Sequence, residues 1–162
     1  MSHQWCTLSF FTPLILQYLA EAFDCTLLVR AHEADHAAFV NFVFQADATL
    51  LFALTLIVRY RNNGALRAVA ADYAPWFLAR LKWLDARLAD GRTFLCAGRF
   101  TLADVCAGYA ACVGLALGLG ARFTPAVRAY AERLVARPAW AVVGTRVHEA
   151  VGGATVERAA KL

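Results

Sequence analysis

The sequence predicts an all-α fold, and three observations lead to this prediction. Apolar residues recur with helical period along almost the whole chain, and no segment sustains the alternation typical of a strand. Helix-stopping and helix-starting signals separate the apolar stretches. Of the 162 residues, 60% are hydrophobic and only 17% are charged, so these helices must bury much of their surface against one another or against a partner.

The first predicted helix occupies residues 13–23, where Pro13 suits an opening turn. Its apolar stripe consists of Leu14, Ile15, Tyr18, Leu19 and Ala22. The apolar stripe ends after Asp24, and a second, denser apolar stripe begins after His36. Residues 24–35 are therefore the predicted linker.

The second predicted helix runs from about Glu33 to Tyr60, and Asp47 is its only charged residue between positions 37 and 58. We expect it to be buried on several sides, or on one side by a partner subunit. The sequence "RNNG" at 61–64 ends it, because Gly64 suits a left-handed cap. A third helical stretch covers 65–89, and Pro75 is expected to kink or split it.

The clearest helix start lies in "GRFTLADV", residues 98–105. Thr101 is predicted to cap the backbone N–H three residues on, while Asp104 reaches back to the N–H of Thr101, which is a capping box. Gly118 and Gly120 end this helix, in which Asp104 is the one charged residue. Thr124 and Pro125 open the next one, and "RPAW" at 137–140 starts the last.

Composition argues against several classes of protein. The longest uncharged run, 105–121, is shorter than a membrane span and holds four glycines, so we expect no membrane segment. No export signal is evident, and the arginines that give the net charge of +4 are scattered, which argues against nucleic acid. The five irregularly spaced cysteines suggest reduced thiols in a cytoplasm. The alanine- and arginine-rich composition is typical of a bacterial source.

The stretch "HEADH", residues 32–36, spells the H-E-x-x-H pattern of zinc proteases. In that pattern His32 and His36 would bind the metal and Glu33 would activate water. The nearby sequence offers no clear third ligand. We therefore expect no metal, interpret Glu33 and Asp35 as acidic residues that complement a helix dipole, and keep a zinc metalloenzyme as a remote alternative.

Two longer motifs resemble a known family. "FLCAGRFTLADVCAGYA" at 94–110, followed by "YAERLVARPAW" at 130–140, is similar to the C-terminal helical domain of cytosolic glutathione S-transferases. "HAAFVNFVFQADATL" at 36–50 resembles the first helix of that domain. "PLILQYLAEAF" at 13–23 resembles the closing helix of the family's thioredoxin-like N-terminal domain.

The resemblance implies a domain organisation. Residues 1–31 would be a remnant of the thioredoxin-like domain with its linker, 32–151 a glutathione-transferase C-terminal-like helical bundle, and 152–162 a flexible tail. The resemblance also implies an apolar substrate pocket, for which Phe44, Ala48 and Leu51 are the candidates. Thr12 would be a weak remnant of the glutathione site.

The resemblance implies conjugation of glutathione to a small apolar electrophile, with glutathione as cosubstrate and a homodimer as a possible assembly. The family's catalytic residue lies in the thioredoxin-like domain, so no catalytic residue is assigned here, and neither Ser2 nor Cys6 has the required setting. We expect a truncated chain with weak or no activity of its own. The alternative is a non-catalytic helical domain that binds a protein or an apolar ligand.

Overall fold

The structure is a computed structural model that describes residues 12–150, with side chains described up to Val147. Its α-helices are α1 Thr12–Phe23, α2 His36–Gln45, α3 Phe52–Tyr60, α4 Arg67–Arg80, α5 Lys82–Leu88, α6 Leu102–Ala116, α7 Pro125–Val135 and α8 Pro138–Ala150. Within this range no β-strand is present, so the predicted all-α fold is confirmed. The predicted tail, Ser2 and Cys6 lie outside the described residues.

Helices α2 and α3 form one continuous helix that is interrupted by a π-helical segment, Ala46–Leu51. The Thr49 hydroxyl donates to the Gln45 carbonyl within this segment. A hydroxyl that bonds a helix carbonyl competes with the backbone ladder and disturbs it locally. Single π-helical turns inside α-helices are frequent at functional sites, so the side chains of this segment are candidates for a functional role.

The helix His36–Tyr60 is long and apolar enough to cross a membrane, the one such helix in the described part of the chain. Length and composition are weak evidence, because the core helix of a soluble protein passes the same test. One face of this helix is core, since Ala46, Leu50 and Ala53 are fully buried. We therefore interpret it as a core helix whose other face is exposed.

Helix α6 lies at the centre of the bundle and contacts α1, α2, α3, α7 and α8. Small side chains allow this close packing, and Ala103, Ala107 and Ala110 are fully buried. At Gly108 a methyl group would force the Leu134 side chain on α7 to shift, because the Cβ would lie 2.2 Å from Cδ1 of Leu134. The composition of α6 thus sets how near its neighbours can approach.

Two predicted boundaries are wrong. The second helix begins at His36 rather than near Glu33, because residues 31–35 form turns whose acidic side chains bond to other parts of the chain. Helix α4 continues through Pro75, and the break before α5 falls at Leu81. The predicted left-handed cap at Gly64 is also wrong, because Gly64 begins a 3-10 turn and has no left-handed φ. The predicted signals on either side of residues 119–123 are confirmed. Gly118 follows α6 with a left-handed φ of 79°, and the Thr124 hydroxyl caps α7.

Candidate functional site

A cavity of about 560 Å³ opens between α1, the π-helical segment, α6 and α8. This volume lies within the range of about 300–1,000 Å³ that is typical of small-molecule sites. Most of the lining side chains are apolar: Pro13, Leu16, Leu51, Phe100, Val105, Cys106, Tyr109, Cys112, Leu134, Ala139, Trp140 and Val143. The cavity is therefore suited to an apolar ligand.

Aromatic rings form the part of the wall nearest α8. The rings of Tyr109 and Trp140 have centroids 6.3 Å apart in a tilted arrangement. The guanidinium carbon of Arg137 lies 3.7 Å from the centroid of the Phe100 ring, a cation–π contact. A planar aromatic ligand could stack on such a wall, and the charge of Arg137 is stabilised by the ring beneath it.

Asp104 borders the same cavity but is only 1% exposed, and its carboxylate is fully engaged. Oδ1 accepts from the Leu95 N–H at 2.9 Å and from the Tyr130 hydroxyl at 3.0 Å. Oδ2 accepts from the Thr101 N–H at 2.9 Å and from the Thr101 hydroxyl at 3.2 Å. Burial raises the pKa of Asp104, and these donors oppose that shift.

Thr101 and Asp104 form the capping box at the start of α6. Of the two contacts in this capping box, the one made by the Asp104 carboxylate with the backbone of Thr101 is the stronger. The hydroxyl of Thr101 makes the other, and it also donates to Asp104 rather than serving only as an acceptor. Tyr130 on α7 and Leu95 on the preceding loop join the same group. One carboxylate therefore fixes the start of α6, the incoming loop and α7 together.

Two thiols line the cavity, and neither is an activated nucleophile. Burial raises the pKa of Cys112 to about 12. Burial, with a smaller contribution from the negative charge of Asp47, raises the pKa of Cys106 to about 12. The thiolate is the reactive form of cysteine, so both thiols are unreactive at neutral pH.

Asp47 is the other carboxylate on the wall, and its surroundings differ from those of Asp104. It lies in the π-helical segment and is half-buried. No side chain described within residues 12–147 forms an ion pair with it or donates a hydrogen bond to it. Its negative charge contributes to the raised pKa of Cys106.

The structure brings some of the predicted site residues together and separates others. Thr12 and Leu51 line the cavity. Phe44 is 55% exposed and Ala48 is also exposed, and neither lies on the described cavity walls. The long helix has apolar residues on two faces, and periodicity alone does not tell which face borders the cavity. Asp47 was not among the predicted site residues, although it is the one charged residue between positions 37 and 58.

The residues of "HEADH" have structural partners instead of a metal. Glu33 forms an ion pair with Arg99 at 2.8 Å, and Nδ1 of His36 bonds to the Val29 carbonyl at 2.8 Å. Because 31–35 are turns, His32 and His36 are not one helical turn apart. Among the side chains described, those of residues 12–147, no cluster of potential ligands could hold a metal ion.

Asp35 joins the linker to the loop before α6. Its carboxylate accepts from Arg87 at 2.6 Å and from the backbone N–H of Ala97 at 2.8 Å. Arg99 donates to the Leu28 carbonyl at 2.8 Å as well as to Glu33. The two acidic residues, predicted to complement a helix dipole, are therefore used in long-range ion pairs, and Asp35 makes no side-chain cap to α2.

Fold and site together define a helical domain in which a buried, aspartate-capped central helix forms one wall of an apolar cavity. Residues 70–138 match the family model described as "Glutathione S-transferase, C-terminal domain". This chain carries a glutathione S-transferase C-terminal domain, the family that its motifs predict. A search of curated proteins and a search of solved structures found no significant match.

Proposed function

We propose that this protein acts in the glutathione S-transferase family by holding the apolar part of an electrophilic cosubstrate in its helical domain. The cavity between α1, α6 and α8 carries the proposal, because its volume of about 560 Å³ suits a small molecule and its wall is mainly aromatic and aliphatic. The buried, unpaired thiols Cys96, Cys106 and Cys112 agree with a reducing, cytoplasmic location.

We further propose that activation of glutathione needs groups beyond those of residues 12–150. Lowering the pKa of a thiol requires a positioned donor or a positive charge near the sulfur. The described residues hold no β-strand of a thioredoxin-like domain. At the cavity they offer the hydroxyl of Thr12 and the guanidinium of Arg137, which already stacks on Phe100. We therefore expect Thr12 to contact glutathione weakly, if the tripeptide enters, and the chain to conjugate it slowly or not at all.

The test combines one binding measurement with one activity measurement on the full chain. Calorimetry with 1-chloro-2,4-dinitrobenzene, in the absence of glutathione, should give saturable one-site binding. Conjugation of the same compound and retention on immobilised glutathione should both be close to background. No binding of the aryl halide would contradict the cavity proposal, and clear turnover would contradict the requirement for further groups.

Two adjacent valines on α8 provide a matched pair of variants. Val143 lines the cavity, whereas Val142 is 73% exposed and does not. Val143→Phe should fill part of the cavity and weaken binding of the aryl halide about tenfold. Val142→Phe adds the same side chain on the solvent side and should leave binding unchanged. Equal effects of the two variants would mean that the ligand binds elsewhere.

A second candidate function is assembly with another copy of the chain. Val40, Phe44, Ala48 and Phe52 recur every four residues along the long helix, and the two phenylalanines are 55% and 52% exposed. An exposed apolar stripe of this kind favours a protein interface. Sedimentation of the chain should show a homodimer that Phe44→Glu with Phe52→Glu converts to monomer. A monomeric parent chain would contradict this proposal.

A further inference from the structure

We propose that Asp47 makes the cavity selective for ligands that carry a protonated amine on an aromatic or aliphatic body. This inference rests on the proposed function, because it names the chemical class of compound that the same cavity would accept. Three observations support it: the position of Asp47, its lack of a partner among the described residues, and the contacts that already engage the other charged groups at the cavity, Asp104 and Arg137.

The position of Asp47 is unusual for a carboxylate. It is the one charged residue between positions 37 and 58, and it falls in the π-helical segment rather than in regular helix. It lines the cavity beside apolar groups such as Leu51 and Cys106. The Asp47 oxygens are not among the buried unpartnered atoms, so they remain accessible to a donor on a ligand that enters the cavity.

Asp47 has no hydrogen-bonding or charged partner within the described part of the chain. Asp104, on the same cavity, accepts four hydrogen bonds at 2.9–3.2 Å and has no capacity to spare for a ligand. The oxygens of Asp47 accept none from the side chains and backbone described within residues 12–147. A ligand ammonium would supply both the missing positive charge and the missing donors.

Arg137 is the competing charge at the cavity, and it would favour an anionic ligand. Its guanidinium already stacks on Phe100 at 3.7 Å, so a ring stabilises its charge in the absence of ligand. Among the side chains described, Asp47 has no equivalent contact. The geometry therefore favours a cation at Asp47 over an anion at Arg137.

The experiment compares three ligands that share one aromatic body: 1-naphthylmethylamine, 1-naphthylmethanol and 1-naphthoate. Calorimetry at pH 7 on the full chain should show that the protonated amine binds about tenfold or more tightly than the alcohol, as expected for a charge-assisted hydrogen bond. Asp47→Asn should abolish this preference and leave the affinity for the alcohol unchanged. Asp47→Glu keeps the charge and should retain the preference.

Asp72→Asn is the matched control, because Asp72 is an exposed aspartate on α4 that does not line the cavity. It should change none of the three affinities. The proposal is overturned if the parent chain binds the amine no better than the alcohol, if Asp47→Asn keeps the preference, or if naphthoate binds most tightly. Failure of all three ligands to bind would overturn the proposed function as well, so the two failures are distinguishable.

Discussion

Asp104 and Asp47 border the same cavity from different helices, and their surroundings are opposite. Asp104 is 1% exposed and accepts hydrogen bonds from two backbone N–H groups and two hydroxyls. Asp47 is half-buried and accepts none from residues 12–150. The difference separates a carboxylate that holds the fold together from one that is available to a ligand.

The largest effect is expected at Asp104. Asp104→Ala leaves the N–H groups of Leu95 and Thr101 and the hydroxyl of Tyr130 buried without an acceptor. Each unsatisfied buried group costs about 1–3 kcal/mol, so with three such groups the free energy of unfolding should fall by about 3 kcal/mol or more. Urea unfolding measures it, with the exposed Asp72→Ala as control. An unchanged midpoint for Asp104→Ala would disprove the structural role.

A smaller effect is expected at Tyr130, the partner of that carboxylate that is most distant in the sequence. Tyr130→Phe removes one hydroxyl that donates to Asp104 at 3.0 Å and keeps the ring. The free energy of unfolding should fall by about 1–2 kcal/mol. The double variant with Asp104→Ala should lose less stability than the sum of the two single losses, because both substitutions break the same hydrogen bond. Strict additivity would show that the hydroxyl acts independently.

A third carboxylate, Glu33, tests whether a partly buried ion pair behaves differently from both. A hydrogen bond from Arg99, and a second from the Arg30 N–H, lower the pKa of Glu33 from 4.5 to about 2. Because the folded-state pKa is lowered, the ion pair stabilises the fold above pH 4.5, and this contribution is lost as the pH falls through about 2.

The measurement is unfolding by urea between pH 7 and pH 2 for the parent chain and for Glu33→Gln. The variant should be less stable at pH 7, and the difference should shrink as the pH falls from 4.5 to 2. Glu132→Gln breaks the exposed pair with Arg128 and should have little effect throughout this range. A difference for Glu33→Gln that does not depend on pH would contradict the assigned ion pair.

The smallest effect on stability is expected at Asp47. Asp47→Asn removes a charge that has no partner within residues 12–150, so the free energy of unfolding should change by less than about 0.5 kcal/mol or rise slightly. Thermal unfolding monitored by circular dichroism is sufficient. A loss as large as that of Asp104→Ala would mean that Asp47 is a structural residue, and the contrast between the two aspartates would fail.

The sequence predicts the start of α6 well because local chemistry determines it. Thr101 and Asp104 are three residues apart, and their capping box depends on no distant partner. The additional bond from Tyr130 to Asp104 joins residues 26 positions apart and leaves no local signal. The pattern thus predicts the cap but not its second role of joining α6 to α7.

The cavity was harder to predict, because it depends on which face of the long helix meets α6. The stripe that includes Phe44 and the face that includes Leu51 are both apolar, so hydrophobic periodicity does not rank them. The π-helical segment also changes the angle between successive side chains around the helix axis. The spacing that identifies one face of a regular α-helix therefore does not apply to the residues within it. Asp47, by contrast, leaves a signal in the sequence, as a single charge in an otherwise uncharged run.

The predicted linker, residues 24–35, does separate α1 from α2, but the predicted helix start near Glu33 was wrong for the same kind of reason. A helix start near Glu33 follows from local acidic residues, but Arg99 and Arg87 lie more than 50 positions away and hold Glu33 and Asp35 in turns. The start at His36 therefore reflects tertiary contacts that no window of local sequence contains.

Ala97 gives the loop before α6 a dependence on distant residues. It has a φ of 54°, a left-handed conformation that costs energy for any residue with a Cβ. Its N–H donates to Asp35, which is 62 positions earlier in the chain. Contacts across so long a chain segment close late, because the entropy of the intervening loop must first be lost. We therefore expect this loop to reach its final shape only after α2 has docked, as one of the last events in folding.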